Sequence, residues 1–406
     1  MTLPSLDPLA ALVLGRERSL FGNDLAAADA KIDRALRGRR VLIVGGGGSI
    51  GAATTRLALR YRPQCVHVVD ASENYLAELV RDLRSSSDDL GTDDFRTLPI
   101  DYGSPIAARL LADSPRYDVV MNFAALKHVR SEKDVYSVLQ MLDTNVLKHV
   151  DFKQWLREFG HHGSYFAVST DKAANPSSLM GASKRLMEDV VFDVASDRAA
   201  CSTSARFANV AFSNGSLLQS FLIRLDKRQP LAVPRDTRRY FIAAQEAGEI
   251  CLLAALGMPG GHVAIPRFDA AVGLQWLHEI AERVLSHFGY RAVPFDDETE
   301  ARHAVDRLAT QRAWPLLMTP LDTSGEKPYE EFVGAGEAAV DLDYEALQAI
   351  VHRMNPRMDD SLIRELRNLI REPRTPATKP ALAALIARAT PTFHHVETGR
   401  GLDERV

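Results

Sequence analysis

Cysteine is scarce in this sequence. Cys65, Cys201 and Cys251 are the only three in 406 residues, and none forms a CxxC pair or joins a histidine spacing that would suggest zinc. That excludes a disulfide framework and gives no reason to expect a metal; the thiols read as buried side chains in a reducing cytosol. The pairs His161/His162 and His394/His395 are adjacent in sequence, so their side chains diverge on a strand or helix, and they read as surface residues. A large excess of charge is missing too. Lysine and arginine number 49 against 53 acidic residues, and no basic run of the kind that binds nucleic acid or an anionic membrane occurs. No apolar run approaches the ~20 residues of a membrane helix, and no secretory leader pattern opens the chain. The expectation is a cytoplasmic protein without nucleic-acid binding or membrane insertion.

What is present is enough apolar residue, 46% of the chain, to bury a full core and a second, smaller lobe. Short β-branched runs alternate with helical patterns: VLIVG at 41–45, VHVVD at 66–70, RTLPI at 96–100, DVVMNFA at 118–124, YFAVS at 165–169 and TSARF at 203–207. Unbroken apolar strands separated by helices predict a parallel sheet covered on both faces, a doubly wound α/β fold of Rossmann type. The expected division is a helical arm at 1–38, a dinucleotide-binding domain at 39–212, a mixed substrate-binding lobe at 213–343 with many prolines, and a helical extension at 344–406. In that extension YEALQAIVHRM and DDSLIRELRNLIRE read as helices, and the end as a polar, frayed segment.

The first strand runs into Gly45-Gly46-Gly47-Gly48-Ser49-Ile50-Gly51, where Gly45, Gly48 and Gly51 make a GxxGxxG pattern that opens a helix. Glycines let the backbone turn tightly and approach a pyrophosphate, whose charge meets helix N-terminal amides. Asp70 ends the second strand about 20 residues later, the position of the acidic residue that binds a ribose diol. Its charge repels a 2′-phosphate, so NAD is expected over NADP. Ser72, Asp101, Tyr102, Ala124 and Ala125 fall on the same expected cofactor surface, Asp101 with an equal reading as a helix N-cap.

The fifth strand ends in Ser169-Thr170-Asp171-Lys172, at the sheet edge that faces a ligand crevice in doubly wound folds. The strings VGGGGSIG, NFAALKHV, STDKAANPSSLMGASKRLMED, RFANVAFSNGS, TRRYFI and SGEKPYEE, in that order, resemble the UDP-N-acetylglucosamine 4,6-dehydratase family of polysaccharide-biosynthesis enzymes over residues 37–335. LVLGRERS resembles the segment preceding the catalytic domain in membrane-attached members, and the expectation is a member without their membrane part. The resemblance implies hydride transfer from C4 of a UDP-N-acetylhexosamine to NAD, loss of water across C5 and C6, and hydride return to C6, with C5 epimerisation open. It makes Lys172 the base at C5, Asp171 the acid at C6, and Lys184 the lysine of the YxxxK pair on the nicotinamide ribose. Met180 stands at the tyrosine position, a substitution resembling the large, membrane-attached branch. Methionine cannot take a proton from a sugar hydroxyl, so Thr170, Asp171 through water, and a Lys184 relay all stand as routes for the C4 hydroxyl proton.

For the substrate, the resemblance points to Lys127, His128, Asn145, Asn209, Ser213, Asn214, Gly215, Arg239 and Glu326. Asn145, in DTN, resembles the family's helix asparagine that supports the active-site backbone, and a buried helix-kink role alone would explain it too. Two departures touch substrate choice: Ala208 replaces the glycine of FGNV, and Thr323-Ser324 replaces the Arg-Pro before GEK. The stretch 296–322 is longer than the usual connection. A homo-oligomer is implied by the family. Two other readings remain, a nucleotide-sugar 4-epimerase, which has no need of the Asp171-Lys172 pair, and a noncatalytic NAD-binding protein.

Overall fold

The computed structural model describes residues 5–86, 89–128, 132–193, 202–268, 273–320, 330–353 and 355–395. Six strands form where the apolar runs predict them: β1 Arg40–Val44, β2 Cys65–Val69, β3 Asp94–Leu98, β4 Val119–Asn122, β5 Ser164–Val168 and β6 Ser202–Ala205. They lie parallel in the order β3-β2-β1-β4-β5-β6, followed by His262–Pro266, also parallel. The chain reverses its direction of strand addition between β1 and β4. A crevice opens at the carboxyl ends of strands there, as the doubly wound topology requires.

Alternate residues of each strand feed two apolar layers. On one face Ile43, Val66 and Val68 pack with Ile32, Leu57, Leu79 and Ile250 from helices Gly22–Leu36, Ser49–Leu59, Glu73–Ser86 and Ala244–Leu252. On the other, Leu42, Val44 and Val69 pack with Leu111, Phe152, Leu156 and Met187 from helices Pro105–Asp113, Lys148–Glu158 and Leu179–Val191. The helical arm read from the N-terminus is present as Pro8–Leu14 and Gly22–Leu36.

The expected helix at 344–354 is instead a strand, Leu347–Val351, antiparallel to His262–Pro266, and Ala339–Val340 pairs antiparallel beyond it. Its apolar run fits either period, and pairing with an otherwise open strand edge decides between them. Helix Asp360–Arg371 forms as expected, but the supposedly frayed segment holds a second helix, Lys379–Ala389. Leu362, Leu366, Leu382 and Ile386 of this pair cover Val138, Met141, Leu186 and Val190 of helices Val135–Leu142 and Leu179–Val191. His161 is buried rather than on the surface: it accepts from the Tyr117 amide at 3.0 Å and donates to the Leu111 carbonyl at 2.9 Å. Cys65 and Cys251 are buried, whereas Cys201 lies outside the described residues.

A smaller lobe is built on the parallel strands Arg291–Phe295, Ala313–Thr319 and Leu231–Pro234. Phe221, Val284 and Trp314 fill its core with helices Leu217–Asp226 and Leu277–His287. The long stretch from 296 is thus an ordered helix, Glu298–Ala309, and the central strand of this sheet.

Charge also lies inside the main body. Arg206, fully buried just after β6, donates to Glu188 Oε1 and Oε2 at 2.8 and 2.7 Å and to Glu337 Oε2 and Oε1 at 2.6 and 2.9 Å. Burial opposes ionisation of Glu337, but Arg206 and Arg185 outweigh it and hold the pKa at about 2 instead of 4.5. Replacing Glu188 by Gln leaves buried charge under-compensated, and the expected loss is about 3–5 kcal/mol in denaturant unfolding. A loss below about 1 kcal/mol would show the pairing to be energetically idle. For Glu337 the folded pKa is depressed. Its stabilisation is therefore complete above pH 4.5 and lost as pH falls toward 2, so the stability gap between wild type and Glu337→Gln narrows across that window.

Candidate active site

A cleft of about 840 Å³ runs along the carboxyl ends of the central strands and under the smaller lobe. It is lined by Gly45, Gly48, Ser49, Ile50, Gly51, Asp70, Asp101, Tyr102, Ala124, Ala125, Lys127, His128, Thr170, Asp171, Lys172, Met180, Lys184, Asn209, Ser213, Asn214, Gly215 and Arg239. Candidate residues from eight separate stretches of the chain therefore converge in one place.

The glycine turn is tight by necessity. Gly45 has φ +71°, and a Cβ there would stand 2.5 Å from the Ala124 nitrogen, so this crossing of β1 and β4 admits no side chain. A Cβ on Gly51 would meet the Gly45 carbonyl oxygen at 2.5 Å. Helix Ser49–Leu59 can thereby start against the turn, with Gly48 at its N-cap and Ser49, Ile50 and Gly51 of its first turn lining the cleft. Asp70 Oδ2 accepts from the Gly47 amide at 3.0 Å, and Oδ1 from the Ser72 amide at 2.9 Å. Ser72 does not line the cleft; it holds Asp70.

Asp101 does not cap the next helix. Ser104 does, while Asp101 accepts from the Gly103 amide at 2.9 Å and pairs with Lys148. Lys148 lines the same end of the cleft with Thr144 and Gln140, three residues that sequence reasoning missed. Their spacing of four along a helical stretch was the available signal. Buried Tyr102 donates its hydroxyl to the Thr144 carbonyl.

At the end of β5, Lys172 Nζ lies 3.2 Å from Asp171 Oδ2 and 3.3 Å from Oδ1, and the Thr170 hydroxyl donates to Oδ1 at 2.8 Å. Asp171 is buried; Lys172 keeps about a third of its side chain exposed, at 35%. Lys184 is buried on helix Leu179–Val191 and donates to the Val168 carbonyl at 2.6 Å. Burial pushes its pKa down to about 8, against the pull of Glu188. Met180, one turn earlier, is buried and lines the cleft.

Asn145 is behind the wall. It is fully buried in a widened π-helical turn, Asp143–Leu147, accepts from the Leu126 amide at 2.9 Å, and donates to the Leu126 carbonyl and Ser183 Oγ, each at 2.9 Å. Its amide is spent on the Leu126 backbone and on Ser183 Oγ and it does not line the cleft, so the structure places it as a support of the wall and not as the substrate contact also expected of it.

The smaller lobe closes the other side. Asn214 donates its amide to Ser49 Oγ at 2.9 Å, which ties the turn after β6 to the glycine turn. Gly215 sits with φ +72° against the His128 ring. Asn209–Val210 pairs with Phe241–Ile242, and Arg238–Arg239 pairs with Gln275–Trp276, which carries Asn209 and Arg239 to the cleft. Glu326, Thr323 and Ser324 lie outside the described residues. Two acidic residues of the SGEKPYEE string are described: Glu331, which accepts from Asn175 Nδ2 at 3.3 Å, and Glu330, buried between Asn209 and Arg239, which the sequence offered no means to prefer over its neighbours.

Comparison with known proteins bears on this geometry. The family pattern described as polysaccharide biosynthesis protein matches residues 41–351. The capsular polysaccharide biosynthesis protein CapD of Staphylococcus aureus is 29% identical over 260 residues, which covers 61% of this chain and 41% of CapD. A Campylobacter jejuni protein named UDP-N-acetylglucosamine 4,6-dehydratase (inverting) is 28% identical over 265 residues, 63% of this chain and 75% of that protein. Among solved structures, Pen from Bacillus thuringiensis superposes with a TM-score of 0.61 at 21% identity, covering 78% of this chain and 88% of that one, a likeness of fold. With the motifs in order, the cleft assembled from them and most of the chain matched, this protein belongs to the polysaccharide biosynthesis protein family.

Proposed function

We propose that the chain is an NAD-dependent 4,6-dehydratase of a UDP-N-acetylhexosamine, with UDP-N-acetylglucosamine the first candidate. The observation that carries this reading is the Asp171-Lys172 pair at 3.2 Å on the floor of a cleft that also holds a glycine turn suited to a dinucleotide. The name of the Campylobacter relative, UDP-N-acetylglucosamine 4,6-dehydratase (inverting), supports it.

The residues fit the cofactor. The side-chain-free crossing at Gly45 and Gly51 and the adjoining helix N-terminus suit a pyrophosphate, Asp70 keeps lone pairs for a ribose diol, and buried Lys184 suits the nicotinamide ribose. Arg56, a candidate partner for a 2′-phosphate, is paired with Asp82, which favours NAD over NADP. NAD bound there supplies reversible acceptance of a hydride.

The chain's own residues supply the proton transfers. A base at C5 requires a neutral Lys172, and an acid at the C6 hydroxyl requires a protonated Asp171. With Lys172 in the neutral form that role requires and Asp171 a carboxylate, the C4 hydroxyl proton can pass through the Thr170 hydroxyl to Asp171 and make it that acid. Lys172 then takes the C5 proton as Asp171 gives its own to the leaving hydroxyl, and the Lys172 ammonium returns a proton to C5 when hydride returns to C6, which regenerates neutral Lys172 and the Asp171 carboxylate. For the C4 hydroxyl proton, the Thr170 hydroxyl bonded to Asp171 is the favoured route, because Lys184 is turned onto the Val168 carbonyl and Met180 has no proton acceptor of use.

Incubation of the purified chain with UDP-N-acetylglucosamine and related sugar nucleotides is expected to give a product lighter by one water in mass spectrometry. Unchanged mass with inverted C4 would instead support a 4-epimerase, and no product from a broad panel a binding role. Lys172→Ala is expected to cut C5 exchange with solvent deuterium by about 10²–10⁴-fold while NAD still binds. Undiminished exchange would remove Lys172 as the base.

A further inference from the structure

Glu330 is a buried carboxylate that the chemistry above does not use, and it lies where two substrate-facing side chains meet. Its Oε1 accepts from Asn209 Nδ2 at 2.6 Å and stands 3.4 Å from Arg239 Nε, while Oε2 accepts from the Tyr240 amide at 3.2 Å. It therefore grips three consecutive features of the smaller lobe's inner edge: the two-residue strand bearing Asn209, the one bearing Arg239, and the backbone after it. Asn209 and Arg239 both line the cleft, whereas Glu330 does not.

A buried carboxylate is costly unless something repays its desolvation. Burial raises the pKa of Glu330, Arg239 pulls it back, and Asp171 and Lys172 are both close enough to act on it with opposite signs. The carboxylate is thus coupled to the substrate-lobe arginine and to the proton-transfer pair together. An arginine left to itself at a cleft edge samples many rotamers; Arg239 is held at Nε by Glu330 and at Nη1 by the Arg238 carbonyl at 2.9 Å, so the plane of its guanidinium is set in advance.

We propose that Glu330 is a positioning residue for sugar-nucleotide binding: it fixes the Arg239 guanidinium through Nε at the edge of the cleft, toward the diphosphate end of the substrate, while Asn209 Nδ2, shared between Glu330 and the Tyr240 carbonyl, holds Glu330 in place. This rests on the sugar-nucleotide reading of the cleft. The sign of the effect separates positioning from simple charge. A carboxylate that acted only by its charge would repel a diphosphate, and its removal would tighten binding; one that positions Arg239 weakens binding when removed.

Calorimetric titration with UDP tests this in four chains: wild type, Glu330→Gln, Arg239→Gln and the double variant. Glu330→Gln is expected to weaken UDP binding by about tenfold or more in the wild-type background and by less than about twofold when Arg239 is already Gln. In turnover the same variant is expected to raise KM with kcat within about threefold, since the interaction is made equally in ground and transition states. Tighter or unchanged UDP binding, equal weakening in both backgrounds, or a fall in kcat at constant KM would each overturn the proposal. Should Glu330→Gln fail to fold, as judged by thermal melting, Glu330→Asp keeps the charge and shortens its reach by one methylene. An Arg239-dependent weakening of a few-fold is then expected, and its absence counts against the proposal. A wild type that binds UDP but converts no UDP-sugar sinks the dehydratase reading and leaves Glu330 to be judged by binding alone. A wild type that does not bind UDP overturns both.

Discussion

The guanidinium of Arg206 holds the working end of this molecule together. With no exposure to water, it is gripped bidentately by Glu188 on one side and Glu337 on the other, and each carboxylate belongs to a different part of the chain. Glu188 lies on the helix that carries Met180 and Lys184, and it also accepts from Ser169 Oγ at 2.6 Å, immediately before Thr170, Asp171 and Lys172. Glu337 belongs to the segment that brings Glu330 under Asn209 and Arg239. One planar cation thus sets the end of β5, the start of the smaller lobe and the returning C-terminal chain in a common frame. Such a cluster is an unreliable source of stability compared with apolar packing, but it is intolerant of misplacement. On the function proposed above, a site that holds Asp171 and Lys172 in fixed relation to a sugar ring benefits from that intolerance.

What could be read from sequence divides along physical lines. The six strands were legible because each is an apolar run that must be covered on both faces, and the glycine turn because only glycine tolerates the backbone crossing at Gly45 and Gly51. Asp171 and Lys172 were legible through their place at a strand end together with a resemblance in the surrounding string. The run around Leu347 was not, because five apolar or small residues suit a helix and a strand alike, and the partner that decides lies some 80 residues earlier in the sheet, at His262–Pro266. Arg206, Glu188 and Glu337 were illegible for a related reason. A charged residue is read by default as solvated, and its burial follows only from contacts across long separations in sequence.

Asn145 and Glu330 show the same limit at finer grain. Both are polar residues that serve the cleft without lining it, one by clamping the Leu126 backbone and the other by gripping Asn209 and Arg239. Residue type announced polarity in each case, and a family string marked the neighbourhood. Which atoms they would satisfy depended on a π-helical turn and on a pair of two-residue strands, features with no distinct signature in the order of amino acids.

The antiparallel strand Leu347–Val351 has a consequence for how the chain is made. It seals the edge of a parallel sheet whose other members are all synthesised earlier, so during translation the strand His262–Pro266 waits with one edge open. Glu337 reaches Arg206 on the same late segment, which leaves the buried guanidinium half-paired over the same interval. The nascent chain is therefore most exposed to wrong pairing between the emergence of residue 266 and that of residue 351, and the last element to join the sheet ends that exposure and completes the ion cluster together.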